Sequence, residues 1–466
     1  MSTQQQAAAS TALITLASYL IVTAPGVVAA HNADSLIPVF VSLESWSLFY
    51  WGQDRFGMLL PLLARPVHDS FQNLLLQNFL SIALWLVGLT AALARLGLRS
   101  SVWWTLAIAT LFVVTGSHLI RLTLLTTNQS YAPAVGLFGL AMYACRPSAL
   151  AYVATVLLSV LGGWTNAGVA LLTAIVTLTL LPVRRTRAIT VPMFAGASVS
   201  IVAHRVLQTW APARTTLLRW SDAGEVPRIV WAFWADCYAM AGSVFWLVLT
   251  VLWLVALARV WRQSVGVPRD DYRCLLGIAV GTFVYGVVMA VAFEGLGRHF
   301  VAALPLVVSA PVVVLARAQS HAFSRTVMRA TTVAIGATLT ASTGVHSPAE
   351  VRRDLIQVLG RNEAQTLYSR GVTVITGDYF EVWRLVFAIN ALHEQHGGQR
   401  PVLPAAPRSE PLRRRLLMHL ESQPLIAIVP PRYLDYWQSQ PDLPQLREIY
   451  SSADYELALV TRNRSR

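Results

Sequence analysis

A succession of apolar runs, each close to the ~20 residues that carry an α-helix across a bilayer, recurs from Thr11 to Val345 and constrains this chain more than any other feature. Helices are expected near residues 10–30, 74–94, 102–120, 131–145, 148–163, 166–183, 189–207, 241–260, 274–293, 299–316 and 327–345. Hydrocarbon offers no water to unpaired backbone groups, so runs of this kind are helical. Val28-Ala29-Ala30 resembles a signal-peptide cleavage site, but Met1 to Gln6 carry no positive side chain. The first run therefore reads as a retained helix.

Composition agrees. Of 466 residues, 55% are hydrophobic and 13% charged, where a soluble chain carries about 25% charged. Acidic residues are unevenly placed: 13 of the 23 lie from His346 onward. The chain thus divides into a membrane region, 1–345, and a soluble domain, 346–466. In the latter, helices are expected over 348–360, 362–370 and 379–396. Strands are expected over 371–378, 425–429 and 455–460. Strands alternating with helices suggest a small α/β domain. The fold class expected is an α-helical polytopic membrane protein of about 11 transmembrane helices with a small C-terminal α/β soluble domain.

The formal net charge of +13 does not point to nucleic acid, because the basic residues flank apolar runs, as in Arg184-Arg185-Thr186-Arg187. Such arginines contact lipid phosphates and resist translocation. All 36 basic residues are arginine, which excludes a P-loop lysine, a Schiff base and a pyridoxal-phosphate anchor. Cys145, Cys237 and Cys274 are scattered, so neither a disulfide framework nor a zinc site is indicated.

Alternate loops, those after the second, fourth, sixth, eighth and tenth helices, hold twelve arginines against seven in the others. The richer set is expected to be cytoplasmic. The N-terminus then lies inside, and the soluble domain outside a bacterial inner (cytoplasmic) membrane. Two long outer loops follow, 31–73 and 208–240, and long loops in compact proteins usually carry function. Eight of the ten acidic residues of the membrane region fall on that outer side under this topology.

Asp34 follows the first helix immediately. A carboxylate there could serve as general base on an acceptor hydroxyl, or Asp34 or Ser35 could cap a helix over 36–45. Asp54 and Arg55 stand between Gly52 and Gly57 among aromatics, a composition suited to a phosphate or sugar, or to a tight interfacial turn. Glu294, Arg298 and His299 occupy the outer junction of the ninth and tenth helices. The arginine there could pair a lipid phosphate or anchor the helix end. The segment Gly162 to Gly168 reads as a very tight outer turn or as small residues packing helices. His118, His204 and His299 are too dispersed for a metal site.

Taken together these segments resemble the C-type (GT-C) membrane glycosyltransferases. The resemblance rests on Asp34 just after the first helix, on Trp51 to Leu63 (WGQDRFGMLLPLL), on Arg298 to Pro305 as an Arg-x-aromatic-x-x-x-x-Pro entry into a late helix, and on the soluble tail. It implies transfer of a sugar from a polyprenyl-phosphate donor to a glycan, lipid or protein acceptor on the outer face. Asp34 would be the base, with Arg55 and Arg298 near the donor phosphate. The first loop carries one acidic residue near the helix end where the family commonly has an adjacent pair, so a divalent metal is not indicated. The rival readings are a lipid-linked oligosaccharide flippase and a non-catalytic envelope-assembly protein. Internal repeats and polar midplane helices, usual in transporters, are not evident in the sequence.

The orientation is checked with a reporter active only outside the cytoplasm, fused after Arg466. Activity is expected, and silence would reverse the placement of the tail.

Overall fold

The computed structural model describes residues 3–44, 46–50, 56–98, 100–127, 129–211, 224–263, 269–292, 297–317, 346–398, 403–405, 426–429, 435, 446–452 and 457–462. In chain order its helices are α1 (Thr3–Thr23), α2 (Pro25–Val28), α3 (Ala33–Leu43), α4 (Leu59–Ala64), α5 (Ser70–Arg95), α6 (Ser101–Thr115), α7 (His118–Ile120), α8 (Tyr131–Ala144), α9 (Ala149–Thr165), α10 (Ala167–Leu180), α11 (Arg187–Gln208), α12 (Val226–Ala241), α13 (Ser243–Gln263), α14 (Arg269–Ala292), α15 (Leu304–Arg317), α16 (Pro348–Ser369) and α17 (Tyr379–Gln395). A π-helical turn, Arg121–Leu125, continues α7, and a 3₁₀ helix, Gly297–Ala303, leads into α15. The chain forms two compact units. One gathers Met1–Val27, Gln53–Gly57 and Asn78–Val345; the other gathers Val28–Gly52, Met58–Gln77 and His346–Arg466.

In the first unit, helices cover ten of the eleven expected apolar runs; the eleventh, near 327–345, lies outside the described residues. Among the described residues, six helical stretches are long and apolar enough to cross a membrane: Gln5–Thr23, Ser70–Arg95, Arg187–Gln208, Ser243–Trp261, Asp270–Ala292 and Gly297–Arg317. Helices α6, α8, α9 and α10 have 15, 14, 17 and 14 residues. At 1.5 Å rise per residue each falls short of a ~30 Å hydrocarbon core. The run expected over 102–120 ends early because Gly116 turns extended and Ser117 caps a new turn, accepting from the Ile120 N–H at 3.3 Å.

Exposed Val244, Leu247, Val251 and Leu254 form a stripe along α13 at three- and four-residue spacing, an outward apolar face suited to lipid. Inside, backbones approach closely. A Cβ added at Gly88 would lie 2.0 Å from the Gly136 carbonyl oxygen, and one at Gly139 would lie 2.4 Å from that of Gly88, so α5 and α8 touch main chain to main chain. Gly163 lies within α9 against Ser200 of α11, as small-residue packing requires, and the chain then turns tightly at Asn166, which ends α9 and caps α10. Hydroxyls within the spans return to carbonyls four residues back, as for Ser18, Thr110, Thr173 and Thr282, each at 2.8 Å. No polar hydrogen is then left facing hydrocarbon at those positions.

In the second unit, α3 presents Phe40 to Trp383, with ring centroids 5.2 Å apart, and to Phe387 at 6.5 Å. Asp69 pairs with Arg352, and the Glu394 carboxylate accepts from the Ser70 backbone N–H at 2.9 Å and from its hydroxyl at 2.8 Å. Residues 348–369 form one helix where two were expected. The helix runs through Gly360 because α17 crosses there, an added Cβ lying 2.9 Å from that of Ala388. The strands β1 (Val374–Gly377), β2 (Leu403–Ala405), β3 (Ile426–Val429), β4 (Leu446–Ser452) and β5 (Leu457–Arg462) make a mixed sheet in the order β2-β1-β3-β5-β4. β1 is parallel to β2 and β3; β5 is antiparallel to β3 and β4. Sequence patterning missed β2 and β4, the former too short to show a period and the latter interrupted by a bulge between Glu448 and Tyr450.

Trp383→Ala is expected to destabilise the second unit by about 3–5 kcal/mol, read as a lower thermal midpoint in detergent. Phe380→Ala, at a half-exposed ring, should change it by no more than about 1 kcal/mol.

Candidate functional site

The local sequence at the start of α3 settles what Asp34 does not do. Asn32 is the N-cap: its side chain accepts from the Ser35 N–H at 3.3 Å, and Ser35 Oγ accepts from the Asn32 N–H at 2.9 Å. The cap expected of Asp34 or Ser35 is therefore Asn32's, and the helix begins at Ala33 instead of residue 36. Asp34 sits in the first turn, where the helix N-terminus favours a carboxylate. It is half-buried, and Oδ1 accepts from the buried Tyr50 hydroxyl at 3.0 Å. Tyr50 is brought there by a loop that closes on Met58: Trp46 Nε1–H donates to the Met58 carbonyl at 2.8 Å, and the Met58 N–H donates to Leu48 at 3.3 Å. His31, also buried, holds Ser35 Oγ at 3.1 Å through Nδ1. Burial pushes its imidazole pKa down to about 4.

A second cluster lies in the first unit, around Gly297–Ala303. The Gly297 N–H donates to Asp236 Oδ2 at 2.6 Å, and Cys237 Sγ lies 3.5 Å from the Gly297 carbonyl. The Tyr285 hydroxyl donates to the His299 carbonyl at 3.1 Å, and Tyr131 hydroxyl meets His299 Nδ1 at 3.1 Å. Phe300 is packed by Phe233 and Trp234. Arg298 is half-buried between these anchors, and its buried Nε has no hydrogen-bond partner among the described residues.

Arg121 is the residue that sequence reasoning missed, having counted it only as a loop arginine. It opens the π-helical turn, which packs against the Gly297–Ala303 helix. Its Nη1 lies against Gly26, where an added Cβ would be only 2.3 Å away, and its buried Nε too has no partner among the described residues. The available signal was a charge inside the apolar stretch Leu119-Ile120-Arg121-Leu122. Arg95 and Arg384 also carry such donors, but Arg121 and Arg298 stand on turns that pack together, an arrangement that suits an anion with several acceptor oxygens.

Of the residues singled out in the sequence, Asp54, Arg55 and Glu294 lie outside the described residues. Asp34 belongs to one unit, Arg298 and His299 to the other. Among the described residues no three His, Cys, Asp or Glu side chains converge as a metal-binding group.

No family model matches the chain, and no curated protein matches it. Among solved structures, it is similar to the apo crystal structure of ArnT from Cupriavidus metallidurans, at 12% identity, with a TM-score of 0.51 and 98% of each chain covered. The chain has the fold of ArnT. The similarity extends over residues of both units.

His31 gives this region a pH dependence. Its pKa in the folded protein, about 4, lies below the ordinary 6.5, so as pH falls the unfolded chain takes up the proton first. Stability is full above about pH 6.5 and declines as pH drops toward 4. The thermal midpoint at pH 5 should fall below that at pH 7.5, and His31→Gln should flatten this part of the difference.

Proposed function

We propose that this protein is a membrane glycosyltransferase that moves a sugar from a polyprenyl-phosphate donor to a hydroxyl of an envelope glycan, lipid or protein on the outer face. The likeness to ArnT over 98% of both chains carries the reading. The chemistry asked of the protein is modest, because a polyprenyl phosphate is already a good leaving group. Asp34, relieved of capping by Asn32, takes the proton of the acceptor hydroxyl as its oxygen bonds to the anomeric carbon. The bond from that carbon to the phosphate oxygen breaks, and its electron pair leaves on polyprenyl phosphate. Arg298 and Arg121, whose Nε atoms have no hydrogen-bond partner among the described residues, and Arg55 are assigned to the charge of the lipid phosphate. Attack opposite the leaving group inverts the anomeric centre. No step is routed through a metal. The soluble domain and the loops 31–73 and 208–240 are assigned to the same outer side as the chemistry.

Asp34→Asn should lower glycosyl transfer by roughly 10²–10⁴-fold with membrane abundance unchanged, since the helix cap is untouched. Arg298→Ala should raise KM for the lipid donor by about tenfold or more. Surface glycans unaltered by Asp34→Asn at normal abundance would sink the base assignment. Intact transfer in detergent with loss of lipid flux would favour a flippase instead.

A further inference from the structure

Arg298 stands out less for its own contacts than for how its neighbours are held. Gly297 is fixed through its N–H by the Asp236 carboxylate at 2.6 Å and through its carbonyl by Cys237, both on α12. His299 is fixed through its carbonyl by Tyr285 of α14 and through its ring by Tyr131 of α8. Three helices thus grip the residue before and the residue after Arg298. The fit at Gly297 is tight enough that an added Cβ would lie 2.6 Å from the Cys237 nitrogen and 2.9 Å from the Asp236 carbonyl carbon.

Asp236 is the charged member of this grip, and its use is unexpected. It is exposed, three sequence positions from the buried Phe233, and a carboxylate so close to an arginine would ordinarily neutralise it. Among the described residues it forms no ion pair with Arg298; its Oδ2 is engaged by a main-chain N–H instead. The hydrogen bond to a charged acceptor is of the stronger kind, and it fixes backbone while leaving the guanidinium open.

The geometry points to Asp236 as a positioning residue, which holds the 297–299 turn so that the Arg298 guanidinium meets the phosphate of a lipid-linked donor. This rests on the phosphate-binding reading of Arg298 given above. An asparagine keeps a side-chain oxygen that can accept the Gly297 N–H, whereas alanine does not, so the two substitutions should separate. Misplacement of a binding group by about 1 Å can cost on the order of 10²-fold.

The test uses the full chain in nanodiscs of phosphatidylethanolamine and phosphatidylglycerol, with undecaprenyl monophosphate as the probe. Asp236→Ala is expected to weaken probe binding by roughly ten- to a hundredfold, and Asp236→Asn by less than about threefold. Arg298→Ala combined with Asp236→Ala should bind no worse than Arg298→Ala alone, because Asp236 acts through Arg298. Amide exchange of the peptide bearing Gly297 and Arg298 should quicken in Asp236→Ala and stay slow in Asp236→Asn. Gly297→Ala, whose Cβ would press on the α12 backbone and on Asp236 Oδ2 and so displace the turn from its anchor, should reproduce the Asp236→Ala result if that variant folds poorly. Wild-type-like binding by Asp236→Ala while Arg298→Ala binds weakly would overturn the assignment of Asp236 alone. Wild-type protein that does not bind the probe, or Arg298→Ala that binds it normally, would overturn the phosphate reading. Unchanged amide exchange in Asp236→Ala would overturn the grip itself, whatever the probe does.

Discussion

A main-chain N–H or carbonyl in hydrocarbon has no water to turn to, and each one left open costs several kcal/mol. The rest of this molecule follows from that constraint. It makes the apolar runs helical, and it makes the hydroxyls of Ser18, Thr110, Thr173 and Thr282 fold back on their own helices. It also makes the places where regular helix stops informative. At Gly116–Leu125 and again at Gly297–Ala303 the chain leaves α-helical geometry, and both stretches gather side-chain partners for the backbone they release. Of the four arginines whose Nε is buried without a partner among the described residues, Arg121 and Arg298 stand at these two interruptions. Where the backbone pays most attention to its own satisfaction, charge has been admitted.

The membrane architecture was legible in the sequence because hydropathy over twenty residues is a strong signal, one that needs no partner to interpret it. Lengths were less so. The run after Ser101 looked like a full span, yet Gly116 and Ser117, two small residues in an apolar context, end the helix at Thr115. Likewise two helices were expected to part after residue 360, whereas Gly360 lies inside one helix, where the crossing of α17 leaves little room for a side chain. In both places the same residue type has opposite meanings, decided by what packs against it.

Asp34 was found by position, but its alternative role as a cap was resolved only by the geometry of Asn32, two residues earlier. Tyr50, its hydrogen-bond partner, lies 16 positions away with nothing periodic between them. Arg298 was singled out by motif. Its supports, Asp236, Tyr131 and Tyr285, are distant in sequence, and no local pattern marks an exposed aspartate as an acceptor for a glycine N–H 61 positions on. Arg121 was overlooked because a loop count treats every arginine alike, and only its place on a π-helical turn sets it apart.

The bonds that close the second unit join residues far apart along the chain: Asp69 with Arg352 across 283 positions and Ser70 with Glu394 across 324. A ribosome adds about 5–20 residues per second, so the interval between making Ser70 and making Glu394 is roughly 15–65 s. Through that interval Phe40 has neither Trp383 nor Phe387 to cover it, and α3 must wait with its aromatic side unmatched. The bilayer surface is the apolar phase at hand for such a helix. The membrane surface would then act as a holding place for the loop after α1 until the tail arrives.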